Sequence, residues 1–218
     1  MCAIVKCVII LFMRRPSLRE ENKLKKNGYS IIAGVDEAGR GPLAGPIVAA
    51  AVVLLENIRI KGLADSKLLT AQERARLFNE IRQKAAAIGI GIVSHKLIDK
   101  LNIGRANLLV MRIAVENLDL SPDFILVDGQ RNKLDLLVPQ KGIDSGDKKC
   151  ASIAAASIIA KVTRDRMMLK LHEKYPEYDF HLHKGYGTKR HVEKLKKYGP
   201  CPIHRRSFRP ARERAGQF

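Results

Sequence analysis

The chain has 218 residues, a mass of 24.3 kDa and 46% hydrophobic residues, enough to bury a full core in one compact domain with short appendages. Forty Lys and Arg against 22 Asp and Glu give a formal net charge of +18, which argues for a polyanionic partner: nucleic acid first, with a ribosome or an anionic membrane surface behind it. Cys2, Cys7, Cys150 and Cys201 form no C-x-x-C pair and no framework spacing, so a disulfide scaffold is set aside in favour of reduced thiols in the cytoplasm.

In chain order, "MCAIVKCVIILFM" imitates a signal peptide, but Lys6 breaks the apolar run, no small-residue cleavage site follows, and the run is too short to span a bilayer. It reads as an extra strand, as a tail, or as the product of a misplaced start codon. Met13 opens "MRRPSLREENKLKKNGYS", which alone makes a charged lead-in helix. Residues 1–30 are therefore expected to be a tail or lead-in helix. No repeat, low-complexity linker or break marks a second large domain.

Residues 31–55, "IIAGVDEAGRGPLAGPIVAAAVVLL", read as two buried strands interrupted by Asp36 and Glu37, with a turn at Gly39 and Gly41. Consecutive strand residues face opposite sides, so one cleft receives both carboxylates only if the backbone turns there. Unpaired buried carboxylates are costly and call for a cation or an arginine. "SKLLTAQERARLFNEIRQKAAAIG" predicts an amphipathic helix with a Thr70 N-cap, apolar Leu77 and Ile81, and Gly89 as its stop. "IGIVSHKL" predicts a strand, "GRANLLVMRIAVENL" a helix, "DFILVDG" a strand ending in Asp128, and "CASIAAASIIAKVTRDRMMLKLHEKY" a long helix able to pack closely on a sheet. The alternation predicts an α/β fold with a mixed sheet, its first strands antiparallel and later ones joined through helices.

Asp36 and Asp128 both end apolar strands, where ligands bind in α/β sheets. Asp144 or Asp147, just before the long helix, can add a third acid. Such a cluster suits Mg²⁺ or Mn²⁺, and acids inside so basic a protein fit metal-assisted phosphodiester chemistry. The plainer reading of Asp128 alone is a turn former, and Asp65 and Asp165 read as caps or ion-pair members. "GRGPLA" matches a dinucleotide fingerprint, but strand residues follow it and the acids would repel a pyrophosphate. His181 and His183 lack partners for zinc and read as solvated loop histidines.

The blocks "GVDEAGRGPLAGP", "LADSKLL", "ILVDG", "SIAAASIIAKVTRDRMM", "HKGYGTKRH" and "GPCPIHRRSF", in this order across residues 31–210, resemble bacterial ribonuclease HII. The resemblance implies a ribonuclease H-like fold over 31–218, with a basic helical substrate-binding extension from about residue 175. It implies an endonuclease on RNA·DNA hybrids and on duplex DNA containing single ribonucleotides. It assigns Asp36, Glu37, Asp128 and Asp147 as catalytic metal ligands for Mn²⁺ or Mg²⁺. Asp147 is preferred to Asp144 because the family's acid lies five residues before the serine of "SIAAAS", although "KGIDSGD" departs from the family's usual Lys-Gly-Asp. It also assigns Gly39, Arg40, Gly41 and Tyr186 to the ribose 2′-hydroxyl. Two cations would flank the scissile phosphate, giving a 3′-hydroxyl and a 5′-phosphate. The basic face of "TKRHVEKLKKYG", with a Thr188 N-cap, and five arginines in "RRSFRPARER" would meet phosphates. A cytoplasmic monomer with no membrane partner is expected. The alternatives are a non-enzymatic nucleic-acid-binding protein and the related type HIII enzymes, which carry an added N-terminal domain.

Overall fold

A computed structural model describes residues 15–56 and 58–209. The apolar run of residues 1–13 and the arginines at 212 and 214 lie outside the described residues. Five strands form one sheet in the order β3-β2-β1-β4-β5. They are β1 (Ile32–Ala38), β2 (Ile47–Leu54), β3 (Ala85–Val93), β4 (Phe124–Asp128) and β5 (Gln140–Ile143). β1 pairs antiparallel with β2 and parallel with β4, and β3 is antiparallel to β2. The mixed sheet is thus as expected, but two details are not. The predicted helix stops at Lys84, and the "AAAIG" that follows belongs to β3, because Ala85 to Val93 pair along β2. Partnering with a buried strand overrides the helix propensity of three alanines. β5, a four-residue strand parallel to β4, carries no apolar alternation that would announce it.

One face of the sheet is covered by α5 (Ala151–Lys174), whose Ala154, Ala155, Ala156 and Ala160 are fully buried. Small residues let the helix approach closely: a Cβ on Gly34 of β1 would overlap the Ser152 backbone. The amphipathic α2 (Ala71–Lys84) joins this layer through Leu77, Phe78 and Ile81, and opens with a capping box between Thr70 and Glu73. The other face is covered by α3 (His95–Leu101) and α4 (Ile103–Glu116), with Val110, Met111 and Ala114 packed on Val35, Ala49 and Ala51.

The lead-in segment forms α1 (Arg19–Lys26), which docks onto the domain. Cys150 gives α5 no side-chain cap. Instead Glu21 Oε1 accepts from the Ser152 backbone N–H at 2.9 Å and from its Oγ at 2.7 Å. Beyond α5 the chain forms the short α6 (Phe180–His183) and then α7 (Lys189–Tyr198), which opens at Thr188 as predicted. Cys150 and Cys201 are free thiols. Among the described residues, no helix is long and apolar enough to cross a membrane.

Candidate active site

β1 runs through both acids and turns only at Gly39, whose φ is +100°. Asp36 and Glu37 nevertheless border one cleft with Gly39, Arg40, Gly41, Asp128 and Tyr186, at the C-terminal end of β1. The parallel β1–β4 pairing sets Val35 beside Val127, so Asp36 and Asp128 follow at the same level on neighbouring strands.

Like charges crowd here. Burial holds the Asp36 carboxyl well above the usual range, and Glu37, Asp128 and Asp147 add to the effect. Glu37 is raised by burial and by Asp128, against the pull of Arg40. Asp147 is buried in a 3-10 turn (Gly146–Lys148) ahead of α5 and is pushed up to about 6 by burial, Asp65 and Asp128. Asp144, in contrast, is exposed and lies 4.0 Å from Lys149. The structure brings Asp147 toward the cluster and leaves Asp144 outside it.

Asp36 Oδ1 accepts from the Glu37 N–H, and Asp128 Oδ1 from the Gly146 N–H, both at 2.7 Å. The buried Oε2 of Glu37 has no partner. Among the described residues, no three acid, histidine or cysteine side chains gather closely enough about one point to hold an ion as they stand. Carboxylates with only one another for company repel. The chemistry of the set nonetheless fits a hard divalent cation: four crowded carboxylates, one buried oxygen without a donor, and no sulfur or imidazole.

Several contributors were not assigned from sequence. Ser66, Lys67, Ser157 and Lys161 line the same cleft. Lys67 lies 3.9 Å from Asp147 and Lys148 3.9 Å from Asp65, so Asp65 is the ion-pair member expected as well as a local cap, its Oδ1 accepting the Lys67 N–H at 2.9 Å, and it joins this charge network. The quoted block "LADSKLL" was the available signal, since it sets an acid, a hydroxyl and an ammonium side by side.

Two buried arginines build the turn. Arg164 of α5 donates to the carbonyls of Pro46 (2.9 Å), Lys184 (3.0 Å) and Ala44 (3.2 Å). Arg205 donates to those of Gly45 (3.0 Å), Arg40 (3.0 Å) and Gly39 (2.6 Å). Burial lowers both guanidinium pKa values, that of Arg205 to about 9. Arg205 was expected among surface phosphate contacts; it faces inward because the carbonyls of Gly39, Arg40 and Gly45 in a tight loop need donors and one forked guanidinium supplies all three. Gly39 lacks a side chain to make room for Arg164, whereas a Cβ on Gly41 would meet open space. Close approach of backbone to a sugar therefore suits Gly41 rather than Gly39.

The exposed Tyr186 ring lies 5.6 Å from Lys161 Nζ and 5.7 Å from the Arg164 guanidinium carbon. His183, expected in solvent, is buried: its Nε2 lies 2.8 Å from the Tyr178 carbonyl and its Nδ1 accepts the Gly185 N–H. Its backbone partners make an apolar site habitable for a polar ring. On α7, Lys194 is 3.2 Å from Asp179, while Lys196 and Lys197 are exposed.

Residues 33–211 match the family model described as ribonuclease HII. The chain belongs to the ribonuclease HII family. A relative named Ribonuclease HII from Bacillus licheniformis is 54% identical over 88% of this chain and 74% of its own length. The crystal structure of a ribonuclease H2 from Pyrococcus horikoshii is similar with a TM-score of 0.73 and 33% identity, covering 84% of this chain and 96% of that one. The fold is also that of Bst-RNase HIII, solved in complex with Mn²⁺, at a TM-score of 0.69 and 18% identity over 84% of this chain and 68% of that one. Membership of the ribonuclease HII family makes the chain a metal-dependent endonuclease hydrolase acting on RNA·DNA hybrids, and sets aside the non-enzymatic alternative.

Proposed function

We propose that the enzyme cleaves RNA in RNA·DNA hybrids and also incises duplex DNA on the 5′ side of a single embedded ribonucleotide, leaving a 3′-hydroxyl and a 5′-phosphate. The observation that carries this reading is the sharing of one cleft by Asp36, Glu37 and Asp128 with Arg40, Gly41, Lys67, Lys161 and Tyr186. Acids for a cation, bases for a phosphate and a phenol for a sugar hydroxyl are what hydrolysis at a ribonucleotide requires.

Asp36, Glu37, Asp128 and Asp147 would hold Mg²⁺ or Mn²⁺. Such ions, when bound, would supply Lewis acidity for hydrolysis of the phosphodiester. The chain's own residues do the rest. Lys67 and Lys161 offset phosphate charge at the mouth of the cleft. In the Gly39-Arg40-Gly41 turn, Gly39 packs under Arg164 and, with Arg40, is held by Arg205, so that Arg40 and Gly41 present a fixed backbone to the sugar. Tyr186 meets the 2′-hydroxyl, and residues from about 175 onward, α7 above all, follow the duplex by phosphate contacts. Residues 31–218 act as one catalytic unit with this extension, residues 1–30 serve as a lead-in, and the enzyme works as a cytoplasmic monomer.

The test is cleavage of a duplex carrying one ribonucleotide, with Mg²⁺, with Mn²⁺ and with chelator. Incision with either ion, none with chelator, and none of the all-DNA duplex supports the reading; incision in chelator or of the all-DNA duplex refutes it.

A further inference from the structure

We propose that His204 and His191, braced by the stacked ring of His183, form a hydrogen-bond relay of fixed direction that positions the Tyr186 backbone, and through it the phenol in the cleft. The proposal rests on the reading of Tyr186 as the residue that meets the 2′-hydroxyl.

All three imidazoles are buried. His204 Nδ1 receives the Cys201 backbone N–H at 2.9 Å, so that nitrogen carries a lone pair and the ring proton sits on Nε2. His204 Nε2 is 3.0 Å from His191 Nε2. Only one proton fits between two nitrogens at that distance, so His191 Nε2 accepts and its own proton is on Nδ1. That Nδ1 lies 2.9 Å from the Tyr186 carbonyl oxygen, an acceptor only. The two ends of the chain thus demand the same order. The Cys201 carbonyl, 3.3 Å from His204 Nδ1, would permit a reversed start. Reversal would set two N–H groups against each other at Cys201 and a lone pair against the Tyr186 carbonyl.

His183 closes the assembly. Its ring stacks on His191 at 4.4 Å between centroids, and its Nδ1 takes the Gly185 N–H at 3.2 Å, which assigns the proton to Nε2 for the Tyr178 carbonyl. The segment so held is one that needs holding: Lys184 and Gly185 have φ of 49° and 84°. Gly185 O in turn receives the Leu43 N–H at 2.8 Å, tying the tyrosine loop to the chain that follows Gly41. Backbone groups and the partner ring take up the ring nitrogens, so the cluster orders a loop and is not a metal site.

The experiment uses uniformly ¹⁵N-labelled full-length protein at neutral pH. Long-range ¹H–¹⁵N correlation should find His191 protonated on Nδ1 and His204 and His183 on Nε2 alone. The opposite tautomer at His191, or an averaged mixture, would overturn the relay. Its action is tested on the lone-ribonucleotide duplex. His191→Phe should lower kcat about tenfold with little change in KM, since a displaced hydrogen-bonding group loses about that much at the transition state. His191→Asn, whose amide can reproduce the Nδ1 donor, should recover most of the loss. In a Tyr186→Phe background, His191→Phe should add little, because residues acting through one another are not additive. Multiplying effects would refute action through Tyr186, and unaltered cleavage by Tyr186→Phe alone, with the tautomers as expected, would refute the reading of Tyr186 and leave the relay's order standing. Thermal unfolding identifies which variants are folded, and the tautomer assignment needs no variant.

Discussion

The Arg164 side chain occupies the space where a Cβ on Gly39 would be, so the helix that covers the sheet also sets the shape of the turn beside Asp36 and Glu37. Gly39 has φ of +100°, its Cβ position would also fall 2.9 Å from the Pro46 carbonyl, and Gly41 has neither constraint. Gly39→Ala should therefore lower stability by at least about 1–3 kcal/mol and reduce cleavage with it. Gly41→Ala should leave the melting temperature near that of the parent and still depress cleavage, because the added methyl would stand in open space at a residue that lines the cleft. Denaturant unfolding and turnover on both variants separate the two roles.

The acid cluster predicts a metal effect on stability as well as on rate. Added Mg²⁺ or Mn²⁺ should raise the melting temperature, since a ligand bound only by the folded state stabilises it. Asp36→Asn and Asp128→Asn should abolish most cleavage, raise stability without metal and shrink the gain on adding it. Asp147→Asn should act likewise, and Asp144→Asn should be close to neutral given its exposure. Scanning calorimetry with and without metal, on proteins of known activity, checks the set; greater sensitivity at Asp144 would reverse the assignment.

How far these residues could be read from the chain differs from case to case. Asp36, Glu37 and Asp128 stood out because acids at the ends of apolar strands are costly unless used, and the parallel pairing of β1 with β4 then brought them together. The cap at Thr70 and the small-residue helix were legible for local reasons. Arg205 and His183 were not: a basic run and a histidine pair read as surface, and their burial depends on carbonyls supplied by segments far along the chain. β5 was missed because "QKGI" has no strand pattern of its own and exists by pairing with β4.

The histidine relay gives stability a pH dependence. Burial depresses His191 to about 4 and His204 to about 3, with His183 and His191 respectively adding repulsion. The unfolded chain, with histidines near 6.5, takes up protons first. Their contribution is therefore fully present above about pH 6.5 and is lost as pH falls toward 4, by up to about 1.4 kcal/mol per pH unit for each ring. Unfolding measured from pH 7 to 5 on the parent and on His204→Phe, provided the variant folds, should show the variant losing less stability as the pH falls. Asp147, held at about 6, takes up a proton in the folded state over the same window and opposes this slope, so the ring is read from the difference: equal slopes for the parent and a folded His204→Phe would mean that His204 is not held neutral.

The basic helix α7 predicts a graded salt effect. Lys196→Gln with Lys197→Gln should reduce the slope of log affinity against log salt by up to about 1.8, at about 0.9 for each phosphate that is no longer neutralised. Lys194→Gln should do less, because Asp179 already neutralises part of that charge. Binding isotherms at several salt concentrations on an uncleavable duplex measure the slopes.

In the mechanism we propose, water attacks the phosphate while the 2′-hydroxyl is only recognised. Analysis of the ends made from a duplex with one ribonucleotide tests it most directly. The expected ends are a 3′-hydroxyl on the upstream fragment and a 5′-phosphate on the ribonucleotide that begins the downstream one. A 2′,3′-cyclic phosphate would show that the 2′-hydroxyl is the nucleophile and would rule out attack by water.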